Sequence, residues 1–376
     1  MTPARPPGDP HRRTLQVYER RAEEWQARRP PRTDEATQFG ELVAAQTEPA
    51  GVVVDLGCGP GWHLPHLPEG TVALDGARAM LDLVPGHAPR APRVQSDLRS
   101  LPFARHSLRA VWANKAYVHL RRTEVPLALW DLHRAMAVDA PLYLGVFSGD
   151  EEHATFDGDD FEGRSFSGWP VELLEHVVEG AGFTVERIDV RGDGVVDHLG
   201  VWARRARTLA DTVAPGMRLL LVGLNPSLVA ADAGVGFHRS GNRAWPALLR
   251  AGLATVDRDP LDLLLRHRIG MSDLVKRASP RADVLTAEDY EHGIARLDAL
   301  CEWLRPGAVC VLGLTGWRAA VDPRAAVGVQ ERRLGGRTVY LMPNPSGANA
   351  HVQLDDVVEH LRSALACAEI DPPPAD

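Results

Sequence analysis

Lysine is almost missing from this 376-residue chain: Lys115 and Lys276 are the two present, and arginine carries the remaining positive charge. No run of about 18 apolar residues occurs, which excludes a helical span read from hydropathy. The N-terminus has no basic-plus-apolar leader pattern, so a cytoplasmic protein with no membrane partner is expected. The four cysteines, Cys58, Cys301, Cys310 and Cys367, lack metal-ligand spacing. Neither a metal site nor a disulfide framework is therefore expected. The net charge of −8 argues against binding nucleic acid through bulk charge. Charge is uneven, however: residues 216–366 hold 18 basic and 16 acidic side chains, against 24 and 34 elsewhere. Such a split fits a phosphate-contacting C-terminal part beside an acidic N-terminal one. The length exceeds one average domain, so two are expected, and 44% hydrophobic with 24% charged residues is a globular composition.

The most informative stretch is Met217 to Trp245. Leu219 to Val222 is an apolar run of strand length, Gly223 permits close turning, and Pro226 ends the strand. Asn225 thus stands at a strand's carboxyl end, where open α/β sheets place ligands. A polar, uncharged Asn there can orient a water without ionising. Twelve positions on, Phe237 offers a flat apolar face, and a helix is expected from Gly241-Asn242-Arg243-Ala244-Trp245.

This stretch resembles the mismatch-specific uracil/thymine DNA glycosylases of the Mug/TDG type. Their G-(I/L)-N-P motif is here Gly223-Leu224-Asn225-Pro226, and Phe237 and the G/A-N-(R/H)-x-W segment stand at family spacing. Arg266 to Pro280 resembles the family's G-x-(T/S)-x-(L/M)-V-x-R-x-(T/S) segment. A strand over Thr338 to Met342 leads into the second signature, Pro343-Asn344-Pro345-Ser346-Gly347. The resemblance implies Asn225 as the catalytic residue and Leu224, Ala230, Phe237, Asn242 and Asn344 around the base. It also implies a DNA-binding loop of Ser346, Gly347, Ala348, Asn349 and His351, with Ala348 where the family usually has a Leu wedge. No cofactor is implied here, and the cysteines do not match the iron–sulfur pattern of other uracil-glycosylase families. Between these motifs, Thr286 with Asp289 is expected to cap a helix running to about Leu304, and the last helix is expected over Leu354 to Cys367.

Further upstream, helices are expected over Thr14 to Ala27 and Asp34 to Ala45 from their apolar spacing. Gly51 to Gly61 then reads as a strand, Val52 to Val54, ending in Asp55 and a loop with Gly57, Gly59 and Gly61. Val72 to Leu74 ends in Asp75, an acidic strand end able to accept from two ribose hydroxyls. Asp97-Leu98 follows a third strand, and Val111 to Leu120 reads as the fourth strand and its loop. Pro141 to Phe147 is expected as the fifth, with an antiparallel pair over 183–205 closing the sheet. Over roughly Tyr18 to Arg205 this series resembles the class I S-adenosylmethionine-dependent methyltransferases. That resemblance implies Asp55, Gly57, Gly59, Asp75, Asp97 and Leu98 as cofactor-binding. Arg109 replaces the family's usual acid before the fourth strand. Tyr117 and His119 are candidates on the acceptor side, with packing the favoured role.

The fold class expected is α/β, with two three-layer domains: a Rossmann-like methyltransferase over 13–205 and a uracil-DNA-glycosylase-like domain over 206–368 with a mostly parallel sheet. Residues 1–12 and 369–376 are expected to be disordered. The function expected is excision of uracil, with thymine or a modified pyrimidine as further targets, from double-stranded DNA carrying a mispaired or deaminated base. The methyl acceptor is not named by the sequence, and a monomer is expected. The alternative is a methyltransferase acting on a nucleobase or small molecule, with the C-terminal domain as a DNA-binding module.

Overall fold

The computed structural model describes residues 9–28, 32–152, 159–192, 197–347, 349 and 351–370. The chain divides into two compact units, residues 1–175 with 183–206, and residues 176–182 with 207–376.

The first unit begins with α1 (Pro10–Arg28) and α2 (Asp34–Ala44), then β1 (Val52–Leu56), β2 (Val72–Asp75), α3 (Arg78–Leu83) and β3 (Arg93–Gln95). There follow β4 (Leu108–Asn114), α4 (Val125–Ala135), β5 (Pro141–Ser148), β6 (Gly168–Trp169), α5 (Val171–Gly180), of which residues 176–180 count with the second unit, β7 (Phe183–Arg191) and β8 (His198–Arg205). The strand order is β3-β2-β1-β4-β5-β8-β7, with β6 paired to β5. β3 to β5 are parallel in this order, and β8 runs antiparallel to both β5 and β7. The order reverses at β1, so a crevice opens beyond the carboxyl ends of β1 and β4. One face is packed by Phe39 and Val43 of α2 against Val53, Trp112, Tyr143 and Trp202.

Two boundaries differ from the sequence expectation. α1 starts at Pro10, inside the stretch read as disordered, because Asp9 supplies the cap: its carboxylate accepts from His11 N and its carbonyl from Arg13 N, both at 3.1 Å. Proline at the first helical position loses no bond. The fourth strand starts at Leu108 rather than Val111, and it gives way to the expected loop after Asn114, where Lys115 takes a left-handed φ of 59° and Tyr117–His119 form a 3₁₀ turn.

The second unit contains β9 (Leu219–Gly223), α6 (Leu228–Ala233), α7 (Ala244–Arg250), α8 (Pro260–His267), β10 (Ile269–Asp273) and α9 (Ala287–Leu304). It continues with β11 (Ala308–Leu312), α10 (Thr315–Ala320), β12 (Gly328–Val329), β13 (Thr338–Met342) and α11 (Leu354–Ile370). The sheet order is β10-β9-β11-β13-β12, parallel except for β12. Alternate residues face opposite layers. Leu219, Leu221, Met271, Cys310 and Tyr340 join Trp245 and Leu248 of α7 and Val358 and Leu361 of α11 in one core. On the other face Ser272 meets Arg296 of α9, so helices cover both sides. Burying an aliphatic side chain such as Leu219 contributes ~1.5–3 kcal/mol. Thr286 and Asp289 form the reciprocal capping box at the start of α9. α11 runs three residues past Cys367, and residues 371–376 lie outside the described ones.

Candidate functional site

β9 sits between β10 and β11, so its carboxyl end is the switch point of the second sheet. Asn225 stands two residues beyond it, half-buried. Its Nδ2 donates to Arg277 O at 3.0 Å and to Ser279 Oγ at 2.8 Å. Ser279 Oγ gives its own proton to Arg281 O at 2.7 Å, so toward Asn225 it can only accept. The amide is thereby fixed with nitrogen inward. Oδ1 points the other way and accepts from no described residue. It is an oriented acceptor that cannot itself take a proton in a catalytic step.

Gly223 and Phe237 complete this end of the strand. Gly223 has no positive φ; its lack of a side chain serves space instead. A Cβ there would overlap Asp273 Oδ1 and lie 3.4 Å from Phe237 Cζ. Phe237 itself has φ 56°, a left-handed conformation costing ~1–3 kcal/mol in a bulky residue. The turn is held from behind by Trp245 Nε1, which donates to Gly236 O at 2.8 Å. Strained backbone kept in place by packing is a frequent mark of a ligand-facing position.

Asp273 was missed by the sequence reading, where it fills an unspecified position between Ser272 and Leu274. It pairs with Gly223 across the parallel ladder and is 8% exposed. No described residue donates a hydrogen bond to its carboxyl. Burial pushes its pKa up to about 6, against the lowering effect of Lys276 and Arg296. Beside it lies a buried ion cluster. Asp211 accepts from Arg296 Nη1, Lys276 Nζ and Ser272 Oγ, each at 2.7 Å. Burial alone would raise the Asp211 carboxyl, but Arg296 and Lys276 outweigh it and hold it below the ordinary range.

The remaining expected residues take several places. Leu224 pairs through its carbonyl with Val275 N at 2.9 Å, and its side chain packs over Gly316 of α10. Ala230 is buried in the first turn of α6, its N–H capped by Ser227 Oγ at 3.2 Å. Asn242 lies just ahead of α7 and accepts from Ala244 N at 2.9 Å. Asn344 is exposed and shapes the signature loop by accepting from Ser346 N at 2.9 Å. Gly347 and His351 are exposed, and Asn349 Nδ2 donates to Asn344 O at 3.2 Å. Ala348 lies outside the described residues. Arg243 was not singled out from sequence, yet it holds this loop. Its backbone N–H donates to Pro345 O at 2.9 Å, and Nη1 donates to Ser346 O at 2.9 Å and Asn349 O at 3.4 Å. Arg243 also lines a groove of about 740 Å³ with His238, Arg239, Asn242 and Arg258, and no carboxylate lines it. A groove of that sign beside an exposed loop suits a phosphate backbone.

The first unit holds a cavity of about 580 Å³ at the switch point of its sheet. Gly57, Gly59, Asp75 and Leu98 line it; Asp55 and Asp97 are not among its lining residues. Gly57, Gly59 and Gly61 all have left-handed φ, of 67°, 55° and 88°, so the loop needs glycine at each. Asp75 accepts from Gly59 N at 2.9 Å and Ala77 N at 2.8 Å, which fixes its carboxylate at the cavity wall. Burial pushes its pKa up to about 6. Asp55 is buried beneath, with Oδ2 unpartnered, and burial with the charge of Asp75 raises its carboxyl well above the usual range. Asp97 is drawn aside by Arg99, whose Nε and Nη2 grip both carboxylate oxygens at 2.9 and 2.7 Å. Tyr117 is a core residue whose hydroxyl makes no bond among the described residues. His119 does line the cavity. Its Nδ1 donates to Ser165 O at 2.9 Å, so Nε2 accepts from Tyr18 OH at 2.8 Å. Burial lowers its pKa to about 3 and keeps it neutral, which suits packing better than proton transfer. A concave wall of glycine backbone ending in a fixed acid, within the roughly 300–1,000 Å³ of small-molecule sites, fits a nucleoside cofactor.

Among the described residues no helix is long and apolar enough to cross a membrane, and none cluster as a metal site. Comparison with solved structures returns a S-adenosylmethionine-dependent methyltransferase from Methanosarcina mazei, 15% identical over 44% of this chain and 97% of that one, with TM-score 0.38. A second such enzyme, from Mesorhizobium loti, is 18% identical over 46% of this chain and 99% of that one, with TM-score 0.35. The 1,6-didemethyltoxoflavin N1-methyltransferase of Burkholderia thailandensis is 15% identical over 55% and 93%, with TM-score 0.40. Residues 53–139 match the family model described as a methyltransferase domain, and residues 210–366 match that of the uracil DNA glycosylase superfamily. The chain thus carries a methyltransferase domain followed by a domain of the uracil DNA glycosylase superfamily.

Proposed function

We propose that the C-terminal domain is a mismatch-directed DNA glycosylase that hydrolyses the N-glycosidic bond of uracil, and more slowly of related pyrimidines. The observation that carries this reading is the locked amide of Asn225, whose Nδ2 is held by Arg277 O and Ser279 Oγ and whose Oδ1 accepts from no described residue. A target base inside the duplex must be extruded first, at a cost of a few kcal/mol that is least for a mispair. The extruded base stacks on Phe237, and Asn225 holds the water that attacks the sugar carbon. Arg243 and the 343–349 loop hold the opened duplex, and the carboxylate-free groove takes its phosphates. Arginine suits these phosphate contacts through its planar set of donors.

The N-terminal domain is read as a methyltransferase using S-adenosylmethionine. Gly57 and Gly59 would lie under the methionine part, Asp75 would accept from the ribose hydroxyls, and Leu98 would flank the adenine. When bound, the cofactor supplies an electrophilic methyl group. Trp25 and Trp62, stacked at 4.8 Å on the cavity wall, offer a flat surface for a planar acceptor. The experiment for the glycosylase reading is excision from duplexes containing G·U, G·T or A·U by wild type and Asn225→Ala. Excision by wild type with loss in the variant supports the reading, and wild-type rates in the variant would sink the assignment of Asn225.

A further inference from the structure

The cavity of the first unit runs from Asp75 at the end of β2, past Lys115 beyond β4, to Arg191 at the end of β7. Two carboxylates on its wall are already engaged: Asp75 accepts from the glycine loop, and Asp159 is paired to Arg164. The remaining charges on the wall are Arg28, Arg32, Lys115 and Arg191 against one carboxylate, Glu35. Glu35 answers Arg191 at 2.8 Å, and Arg28 turns to Glu24, also at 2.8 Å. His63 lies against the other two cations. Its Nε2 donates to Arg32 O at 3.2 Å. Burial, helped by the charges of His66 and Lys115, lowers its pKa to about 4, so it stays neutral. Lys115 is one of two lysines in the chain and holds its left-handed backbone by donating to Gly145 O at 2.8 Å. A strained residue at a strand's carboxyl end, kept in place by its neighbours, marks a ligand-facing position. The aromatic wall points the same way. The edge of Trp25 lies 3.7 Å from where a Cβ would stand at Gly59, so the Trp25–Trp62 pair adjoins the glycine loop. The indole N–H of Trp25 is buried and has no hydrogen-bond partner among the described residues. A buried donor left unpaired is costly, and a ligand oxygen brought against it removes that cost.

Resting on the reading of this unit as a methyltransferase, we propose that its acceptor is a small planar anion, an aromatic ring bearing a carboxylate or a phosphate. The ring lies on the Trp25–Trp62 pair, and an oxygen of the ligand accepts from the Trp25 indole. The anionic group is balanced by Arg32 and Lys115. Arg32 supplies a planar set of donors and Lys115 a compact point charge, and both suit a carboxylate or phosphate. A neutral ring would gain the stacking and forgo the charge, and a cationic one would be repelled by the same two side chains.

The test is calorimetry on the full-length chain saturated with S-adenosylhomocysteine, using two matched pairs of probes: indole-2-carboxylate against indole-2-carboxamide, and uridine 5′-monophosphate against uridine. In at least one pair the anion should bind about tenfold more tightly than its neutral partner and quench tryptophan fluorescence. The pair that responds distinguishes a carboxylate from a phosphate ligand. Arg32→Met and Lys115→Met should each remove most of that preference and leave the affinity for S-adenosylhomocysteine unchanged. Trp62→Leu should weaken both members of the pair alike. Equal binding of anion and neutral partner, no binding of any of the four probes, or a preference unmoved by the two cation variants overturns the proposal, while bound S-adenosylhomocysteine keeps the methyltransferase reading intact. A chain that fails to bind S-adenosylhomocysteine overturns that parent reading and this one with it. The comparison within each pair on wild type stands by itself should a variant fail to fold.

Discussion

Arg296 is the residue whose removal should be felt most in the second unit. It is 1% exposed and donates to Asp211 Oδ2, Ser272 Oγ and Asp273 O at 2.7, 3.1 and 2.7 Å. Arg296→Met keeps the length and apolar stem but removes the charge. Asp211, 3% exposed, is then left with Lys276 and Ser272 alone. Breaking a buried pair by deleting one partner costs ~3–5 kcal/mol, most of it the charge left uncompensated. Restoring neutrality with Asp211→Asn in the same chain should return part of that loss, giving a coupling of ~1–3 kcal/mol in a double-mutant cycle. The assay is urea-dependent hydrogen exchange of peptides spanning β9 and β10 in the full chain, which reads that unit alone. A loss below ~1 kcal/mol in Arg296→Met, or strict additivity in the cycle, would refute the reasoning that the cluster is a coupled buried network.

Other perturbations give distinct outcomes. Asp273→Asn should stabilise the second unit at pH 8, because the rise of the carboxyl from its ordinary 3.8 to about 6 opposes folding by on the order of 3 kcal/mol once the group is ionised. A raised carboxylate pKa weakens folding as pH climbs from about 4 to 6, so the gain should vanish below about pH 4; the same exchange measurement at both pH values checks it. Arg243→Met should free the 345–349 loop and weaken duplex binding about tenfold, with a shallower salt dependence in a fluorescence-anisotropy titration. Asp75→Ala should abolish calorimetric binding of S-adenosylmethionine without unfolding the first unit, as read by far-ultraviolet circular dichroism.

Local signals made much of the fold readable in advance. Thr286 and Asp289 cap a helix because an oxygen and a carboxylate three residues apart satisfy each other's backbone donors, and both ends of that device are adjacent in sequence. Strand ends at Gly223, Asp75 and Met342 were legible because apolar runs stop at glycine, acid or proline. What escaped depends on partners distant in the chain. Asp273 comes against Gly223 only when β10 pairs with β9, fifty positions earlier. Arg243 becomes a loop clamp only when Pro345, Ser346 and Asn349 come back onto it. Asp97 looked like a cofactor acid, and Arg99 two residues on closes over it in a pairing that spacing alone does not announce. Tyr117 and His119 looked equivalent, but one side chain turns into the core and the other into the cavity wall.

The most direct measurement is alkali-revealed strand cleavage of labelled duplexes carrying G·U, G·T and A·U, and of single-stranded U, by wild type beside Asn225→Ala. Excision should be fastest at G·U, because the mispair lowers the cost of extruding the base, and absent in Asn225→Ala although that variant still binds DNA. Equal excision by both proteins, or none by wild type on any of these substrates, would contradict the assignment of a water-orienting amide at the end of β9.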